Sequence, residues 1–539
     1  MAPLQTHLTN LQHACSLYSS APAFKIPIFD DGNTISGYHA VTFAEFNQDV
    51  EKYARHWSRR LLNDGIKPRS VVGLCLKGLA YTDVLHIYGL GRAGYVAQCF
   101  SLFPSAIQVV ASLLKKSNAK ALIYQDGYFN ASALSTTDVS TTLNTYPSMQ
   151  KIPQEAEEVD LPVLKDNHAE DIVIMFHSTG STSGTPKFAP ISFKQMDALI
   201  AKAAFTCVPS DPKRAGREFL DRERLSWGTV WLNVYYGTCT IQQTSATPSP
   251  AEVKAMVKLG ALNRACMFPA LVSRLLKEAR YDSELLDVLA SLDSIIHGGA
   301  FVPKDDEDWA REKGVNLVNI YGCTELGIPV LLSKGLQVAH PDYLLPIPAT
   351  RHDGTPLLSY RFEAVPGDAD SVDLKRLVVL PGSGDIPDRS LCQDNGRYDT
   401  GDLFEEAERG KFIYRGRNDD WIKMANACKC DAASIEADVR KTCGNLIAEC
   451  IVVGTGRTSP ALIVEAANGG FDAGLREEIY QQIAASDAHS TRLPHEKIAS
   501  ADRVLVVPLN SLMRTATKGN VRRRATEEAL KEQLDALYV

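Results

Sequence analysis

This chain of 539 residues lacks several common signatures. Its twelve cysteines are scattered without a Cys-x-x-Cys pair, so no disulfide framework is implied. Cys428 and Cys430 stand closest, yet no neighbouring histidine or second cysteine pair completes a zinc site. No apolar run approaches the roughly twenty residues that a bilayer-spanning helix needs. The opening MAPLQTHLTNLQ has neither a basic n-region nor an apolar h-region. Charge of one sign is not in excess either: a net charge of -7 with 22% charged residues carries no polyanion-binding surplus. Together these absences predict a cytoplasmic protein with no membrane or nucleic-acid partner.

The length exceeds what one core supports, so two or three domains are expected. Strand-like runs such as 71-VVGLCL-76, 121-ALIY-124, 172-IVIMF-176 and 294-SII-296 alternate with amphipathic segments. That alternation predicts an α/β fold with largely parallel strands. One helix is well marked: Thr42 and Glu45 form a capping box, apolar positions recur through Trp57 and Leu62, and Asn63-Asp64-Gly65 ends it. A second is expected from Ser192 and Gln195, with Met196, Leu199, Ile200 and Ala203 at helical spacing. After a Pro/Gly/Asp-rich stretch the pattern changes near Arg417 to Asp420. We therefore expect a large domain of layered α/β subdomains over 1–417 and a small α+β domain over 418–539. The basic cluster Arg514, Lys518, Arg522, Arg523 and Arg524 precedes Glu527, Glu528 and Glu532 and reads mainly as a solvated helix face. A stripe of Leu530, Leu534 and Leu537 would dock that helix on the body.

Two stretches carry the chemistry, 177-HSTGSTSGTPK-187 and 319-NIYGCTELG-327. In the first, hydroxyl residues (Ser178, Thr179, Ser181, Thr182, Ser183) and glycines (Gly180, Gly184) lie between the run Ile172 to Phe176 and the helix expected from Ser192. Glycines let the backbone approach closely, while N–H groups, hydroxyls and Lys187 supply donors and charge for a phosphate. The expected order is strand, phosphate loop, helix. The Walker pattern is excluded, because its two glycines and Lys-Ser/Thr stand at a different spacing.

These segments, followed by 398-YDTGDL-403, 414-YRGRNDDWIK-423 and 515-TATKGNVRR-523 and interleaved with 297-HGGA-300, resemble the adenylate-forming superfamily in the same order along most of the chain. That superfamily includes acyl-CoA ligases and peptide-synthetase adenylation domains. The resemblance implies ATP-dependent activation of a carboxylic acid as an acyl-adenylate, with Mg²⁺. It places Ser178, Thr179, Gly180, Ser181, Thr182, Gly184, Lys187, Gly299, Ala300, Asn319, Tyr321, Gly322, Asp402 and Arg417 at the nucleotide. Tyr321 offers an aromatic face for adenine, and Asp402 is an acceptor-only carboxylate suited to ribose hydroxyls. Arg417 has a rigid fork for phosphate or ribose oxygens. Glu325 is a hard oxygen ligand for Mg²⁺, assisted by Thr324. Lys518 becomes the catalytic lysine, and Asp419 the hinge of a mobile small domain. The family usually places that lysine after glycine, whereas here Lys518 precedes Gly519.

The length of the hinge segment 419-DDWIKMANACK-429, His177 before the phosphate loop and the Lys-Gly order look like the adenylation domains of fungal synthetase-like carboxylic acid reductases. The implied acceptor is the phosphopantetheine thiol of a carrier domain, in cis or trans. The segment 225-LSWGTVW-231 lacks the aspartate that holds an α-amine in amino-acid-activating domains. An aryl or short alkyl acid is therefore expected, in a pocket drawing on His177, Trp227, Trp231, His297 and Gly298. A free-standing acid–CoA ligase and a degenerate nucleotide-binding regulatory module are the alternatives.

Overall fold

The computed structural model describes the chain outside residues 1–3, 101–106, 140–142, 151, 153–159, 162–167, 179–186, 208–217, 221–233, 246, 300–301, 328–329, 338–342, 352–353, 366–372, 426–428, 468–472, 516–520 and 539. The chain forms two compact units. One comprises 1–178, 188–360 and 379–398, and the other 179–187, 361–378 and 399–539.

The larger unit is built on two sheets. In the six-stranded sheet the order is Asn144–Pro147, Ala121–Tyr124, Val71–Cys75, Val96–Cys99, Ile172–Ser178 and Lys187–Ser192. Its first four neighbouring pairs run parallel. The nine-stranded sheet has a parallel centre in which Arg264–Met267, Ser294–Gly298 and Leu317–Tyr321 lie side by side. Both margins are antiparallel, Leu331–Leu332 with Leu345–Pro346 at one end and Pro22–Phe29 with Ile35–Thr42 at the other. Short runs such as 121-ALIY-124 are strands because they are buried on both faces, as parallel strands under helices must be. The marked helix spans Phe43–Asn63, and both halves of its capping box form: the Glu45 N–H donates to Thr42 Oγ1 at 3.2 Å, and the Thr42 N–H donates to Glu45 at 2.8 Å.

Two expectations change here. The phosphate-loop segment is followed by a strand, Lys187–Ser192, before the helix Phe193–Cys207 begins. The reason is the short apolar run Phe188 to Ile191, in which Ala189, Pro190 and Ile191 are all buried and Phe188 packs against a second cluster. The second capping box is only half made. The Gln195 N–H donates to Ser192 Oγ at 3.2 Å, while the Gln195 side-chain amide reaches the distant Glu325 carbonyl instead.

The smaller unit contains a four-stranded sheet, Tyr360–Ala364, Leu374–Val379, Tyr398–Glu408 and Lys411–Arg417, apart from a few end residues of those strands. It also holds an α+β module. There Ile447–Val453, Ala461–Ala466 and Val504–Val507 form a sheet packed on the helices Ala432–Cys443 and Ala473–Ala484. The opposite face takes Leu534, with Leu530 and Leu537, as the leucine stripe predicts. The basic cluster is not a solvated face throughout. Arg514 pairs with Glu465, which has no exposed surface, and Arg523 is nearly buried between Glu436 and Asp420. A buried carboxylate needs a nearby cation, and these arginines supply it. Arg524 remains exposed beside Glu528.

Candidate active site

In the larger unit the motif residues gather where the parallel strands Ser294–Gly298 and Leu317–Tyr321 end, the side on which open α/β sheets receive ligands. The two strands pair His297 with Asn319 and Gly298 with Ile320. A side chain at position 298 has no room, since a Cβ on Gly298 would sit 2.4 Å from the Ile320 carbonyl oxygen. Gly299 then turns with φ +81°, a conformation that favours glycine. The partner strand is fixed by its return: the Asn319 N–H donates to Ser333 Oγ, and the Asn319 carbonyl accepts from the Ser333 N–H, each at 2.8 Å. The Tyr321 carbonyl accepts from the Val330 N–H at 2.8 Å. Gly322 and Cys323 lead into a single 3-10 turn, Thr324–Leu326. The half-buried Glu325 carboxylate has no hydrogen-bond partner among the described residues.

His297 and Gly298 lie on opposite faces of their strand, as successive strand residues must. His297 follows Ile295 and Met267 onto the helix-covered face. It is 1% exposed, its two ring nitrogens have no hydrogen-bond partner among the described residues, and Glu307 Oε1 is 4.0 Å away. Burial lowers its pKa to about 4, which keeps the ring neutral. The face shared by Gly298 is apolar, formed by Cys266, Ile296, Val318 and Ile320. Sequence reasoning missed these wall residues, although the period-two pattern running on to Gly298 carries the signal. His177, near the end of Ile172–Ser178, places its ring 5.9 Å from that of Phe100. Trp227, Trp231, Thr179, Gly180, Ser181, Thr182, Gly184 and Ala300 lie outside the described residues, as do the side chains of Ser178 and Lys187.

In the smaller unit, Asp402 and Arg417 face each other across the hairpin of Tyr398–Glu408 and Lys411–Arg417. Asp402 is 5% exposed, and its Oδ1 accepts from Tyr414 Oη at 3.1 Å and from Arg417 at 3.5 Å. Burial, reinforced by Asp402, raises the Tyr414 phenol far above its ordinary value, so it remains a donor to the carboxylate. Gly401 has φ +73°, and a Cβ there would lie 3.0 Å from the Arg417 guanidinium. Asp420 accepts from the Arg417 N–H at 3.2 Å and pairs with Arg523 at 3.3 Å. The Asp419 side chain and Lys518 lie outside the described residues. The base of the Lys518 segment is a bridge between Arg514 and Val521, and the buried Glu465 accepts from the Leu512 N–H at 2.8 Å.

The chain belongs to the AMP-binding enzyme family, whose main domain matches residues 11–357 and whose C-terminal domain matches 419–539. It is 28% identical over 536 residues to the AMP-binding domain-containing enzyme iboA of Amanita muscaria (strain Koide BX008), covering 94% of this chain and 98% of that protein. It is 22% identical to the adenylate-forming reductase Nps9 of Serpula lacrymans var. lacrymans (strain S7.9), covering 96% of this chain but 48% of the reductase. The chain thus spans about half of that relative's length. Its fold is that of O-succinylbenzoate coenzyme A synthetase from Bacillus subtilis, solved in complex with ATP and magnesium ion, with a TM-score of 0.70, 16% identity and coverage of 96% and 99%. The protein is therefore an adenylate-forming ligase that activates a carboxylic acid, with relatives among fungal adenylate-forming reductases.

Among the described residues no helix is long and apolar enough to cross a membrane, every cysteine is a free thiol, and no cluster of three or more His, Cys, Asp or Glu residues could cage a metal. The donor set at the Thr324–Leu326 turn is a lone carboxylate. That suits Mg²⁺, which keeps several waters and takes one or two carboxylates plus substrate phosphates.

Proposed function

We propose that the chain activates an aryl or short alkyl acid lacking an α-amine, and passes the acyl group to the phosphopantetheine thiol of a carrier domain, as part of a carboxylic acid reductase-like system. The apolar sheet face of Cys266, Ile296, Val318 and Ile320 beside Gly298 carries the substrate reading. These four side chains offer dispersion contacts and no carboxylate for an ammonium. The resemblance to adenylate-forming reductases supports the acceptor.

In this reading the segment Ser178 to Lys187 cradles the phosphates, and Gly299, Ala300, Asn319, Tyr321 and Gly322 surround the base. Glu325, with Thr324, holds Mg²⁺, whose charge offsets that of the phosphates. Asp402 takes ribose hydroxyls, and Arg417 donates to ribose or phosphate oxygens. His177, Trp227 and Trp231 complete the acid pocket. An oxygen of the substrate carboxylate forms a bond to the α-phosphorus, the bond to the bridging oxygen breaks, and pyrophosphate leaves with the electron pair. The Lys518 ammonium stabilises the charge that develops. The 418–539 domain then swings about Asp419, and the thiolate displaces AMP from the acyl carbonyl.

The test is acid-dependent ATP–pyrophosphate exchange across aryl, short alkyl, α-keto and α-amino acids, followed by mass spectrometry of a phosphopantetheinylated carrier. We expect exchange with aryl or short alkyl acids and a carrier-bound acyl group. Exchange confined to α-amino acids would overturn the substrate reading. Transfer to coenzyme A but to no carrier would replace the carrier reading with a free-standing ligase.

A further inference from the structure

The helix Phe193–Cys207 turns one face, at i, i+4 and i+7 spacing, toward the turn that bears Glu325. Gln195 Nε2 donates to the Glu325 carbonyl at 2.8 Å. Leu199 fills the space beside Gly327, with its Cδ2 2.2 Å from where a Cβ would stand. Lys202 Nζ donates to the Leu326 carbonyl at 3.1 Å. Lys202 is completely buried, and Asp385 Oδ2 meets its charge at 2.9 Å. Asp385 Oδ1 in turn accepts from Ser383 Oγ at 2.6 Å.

A buried ion pair gives little net stability compared with an apolar pair of similar volume, so stability alone does not account for one at this place. Its position does. A single 3-10 turn leaves its last carbonyls without donors of its own. The helix supplies two, an amide and an ammonium, to consecutive carbonyls. The Glu325 carboxylate has no hydrogen-bond partner among the described residues, so the place from which its side chain projects is set by the backbone of the turn.

We propose that Lys202, charge-balanced by Asp385, is a positioning residue: with Gln195 it fixes the backbone of the Thr324–Leu326 turn so that the Glu325 carboxylate is aimed at the divalent cation accompanying ATP. The inference rests on the role proposed above for Glu325.

The test uses the full chain and compares wild type, the charge-balanced double variant Lys202→Met with Asp385→Asn, Glu325→Gln, and all three changes together. Each is followed by thermal melting, by Mg²⁺ titration of acid-dependent pyrophosphate exchange, and by Mn²⁺ binding with ATP read from water-proton relaxation. Groups that orient a metal ligand typically account for about tenfold to a hundredfold in metal affinity, and the double variant should raise half-saturating metal by that factor in both titrations. The KM for the acid should not move, and the double change should add nothing once Glu325 is Gln. Wild-type metal dependence in the double variant would overturn the proposal, as would an equal added loss in the Glu325→Gln background. If Glu325→Gln itself leaves metal dependence unchanged, the role of Glu325 has failed and the positioning claim falls with it. Should the double variant melt below the assay temperature, Gln195→Leu, which removes one amide, is read by the same rule.

Discussion

Gly298 is the residue for which the geometry leaves least freedom. A methyl group there would lie 2.4 Å from a backbone oxygen of the neighbouring strand, which no rotamer change relieves. Gly298→Ala must therefore shift the ends of Ser294–Gly298 and Leu317–Tyr321 against each other. Displacements near 1 Å can cost about a hundredfold in rate, and a loss of that order in kcat/KM for the acid is expected in pyrophosphate exchange, with a lowered melting temperature from the overpacked strand ends. A near-wild-type rate would remove this strand end from the site. Glycine and the motif order made this position visible in the sequence. The facing of its neighbour was not visible while the strand was taken to stop at Ile296: once it runs to Gly298, period two sends His297 to the helix side and Ile296 to the other.

At the level of elements, two similar sequence signals end differently. Thr42 with Glu45 makes both bonds of its capping box, closing them within one turn. Thr42→Ala should lower stability by about 1 kcal/mol, seen as a reduced melting temperature with unchanged exchange kinetics. A change in KM for either substrate would contradict a purely local role. Ser192 with Gln195 looks equivalent on paper, yet the Gln195 amide bonds a carbonyl 130 residues away. No local pattern contains that partner. The extra strand after the phosphate loop was legible in principle, since Phe188 to Ile191 is a short apolar run, but the hydroxyl-rich run before it suggested a loop leading straight into a helix. The fates of Arg514 and Arg523 were not legible, because their buried carboxylates come from distant strands and helices.

For the molecule as a whole, acid is the informative stress. In the larger unit His7, His56 and His297 have pKa values lowered to about 4, and His86 to about 3, all first by burial. In the unfolded chain the same rings titrate near 6.5. Between those values the unfolded state binds more protons, so the stability these histidines contribute is complete above about pH 6.5 and is lost as pH falls toward about 4. Asp83 opposes them: burial raises it to about 6, so it contributes stability as pH falls through that value. In the larger unit four depressed histidines against one raised carboxylate predict a melting temperature of that unit that falls from about pH 6.5 to about pH 4.5 in scanning calorimetry. A flat or rising profile would show that these rings are charged or solvated in the folded protein. The α/β class and the small C-terminal module were expected from the alternation of runs, whereas the division into compact units was not. The chain enters the smaller unit at 361–378 and returns to the larger at 379–398, and composition gives no hint of that return.

That return has a consequence for how the protein is made. Asp385 follows Lys202 by 183 residues, and at about 5–20 residues per second a ribosome needs roughly 10–40 s to bridge the gap. During that interval the Lys202 ammonium has no counter-charge, and its helix cannot close over the Glu325 turn without stranding it. The match to the family's main domain ends at residue 357, before Asp385 appears. A fragment trimmed at that border would be caught permanently in the state that the nascent chain only passes through. The larger unit thus acquires the counter-charge for its buried lysine only from the segment with which the chain returns to it.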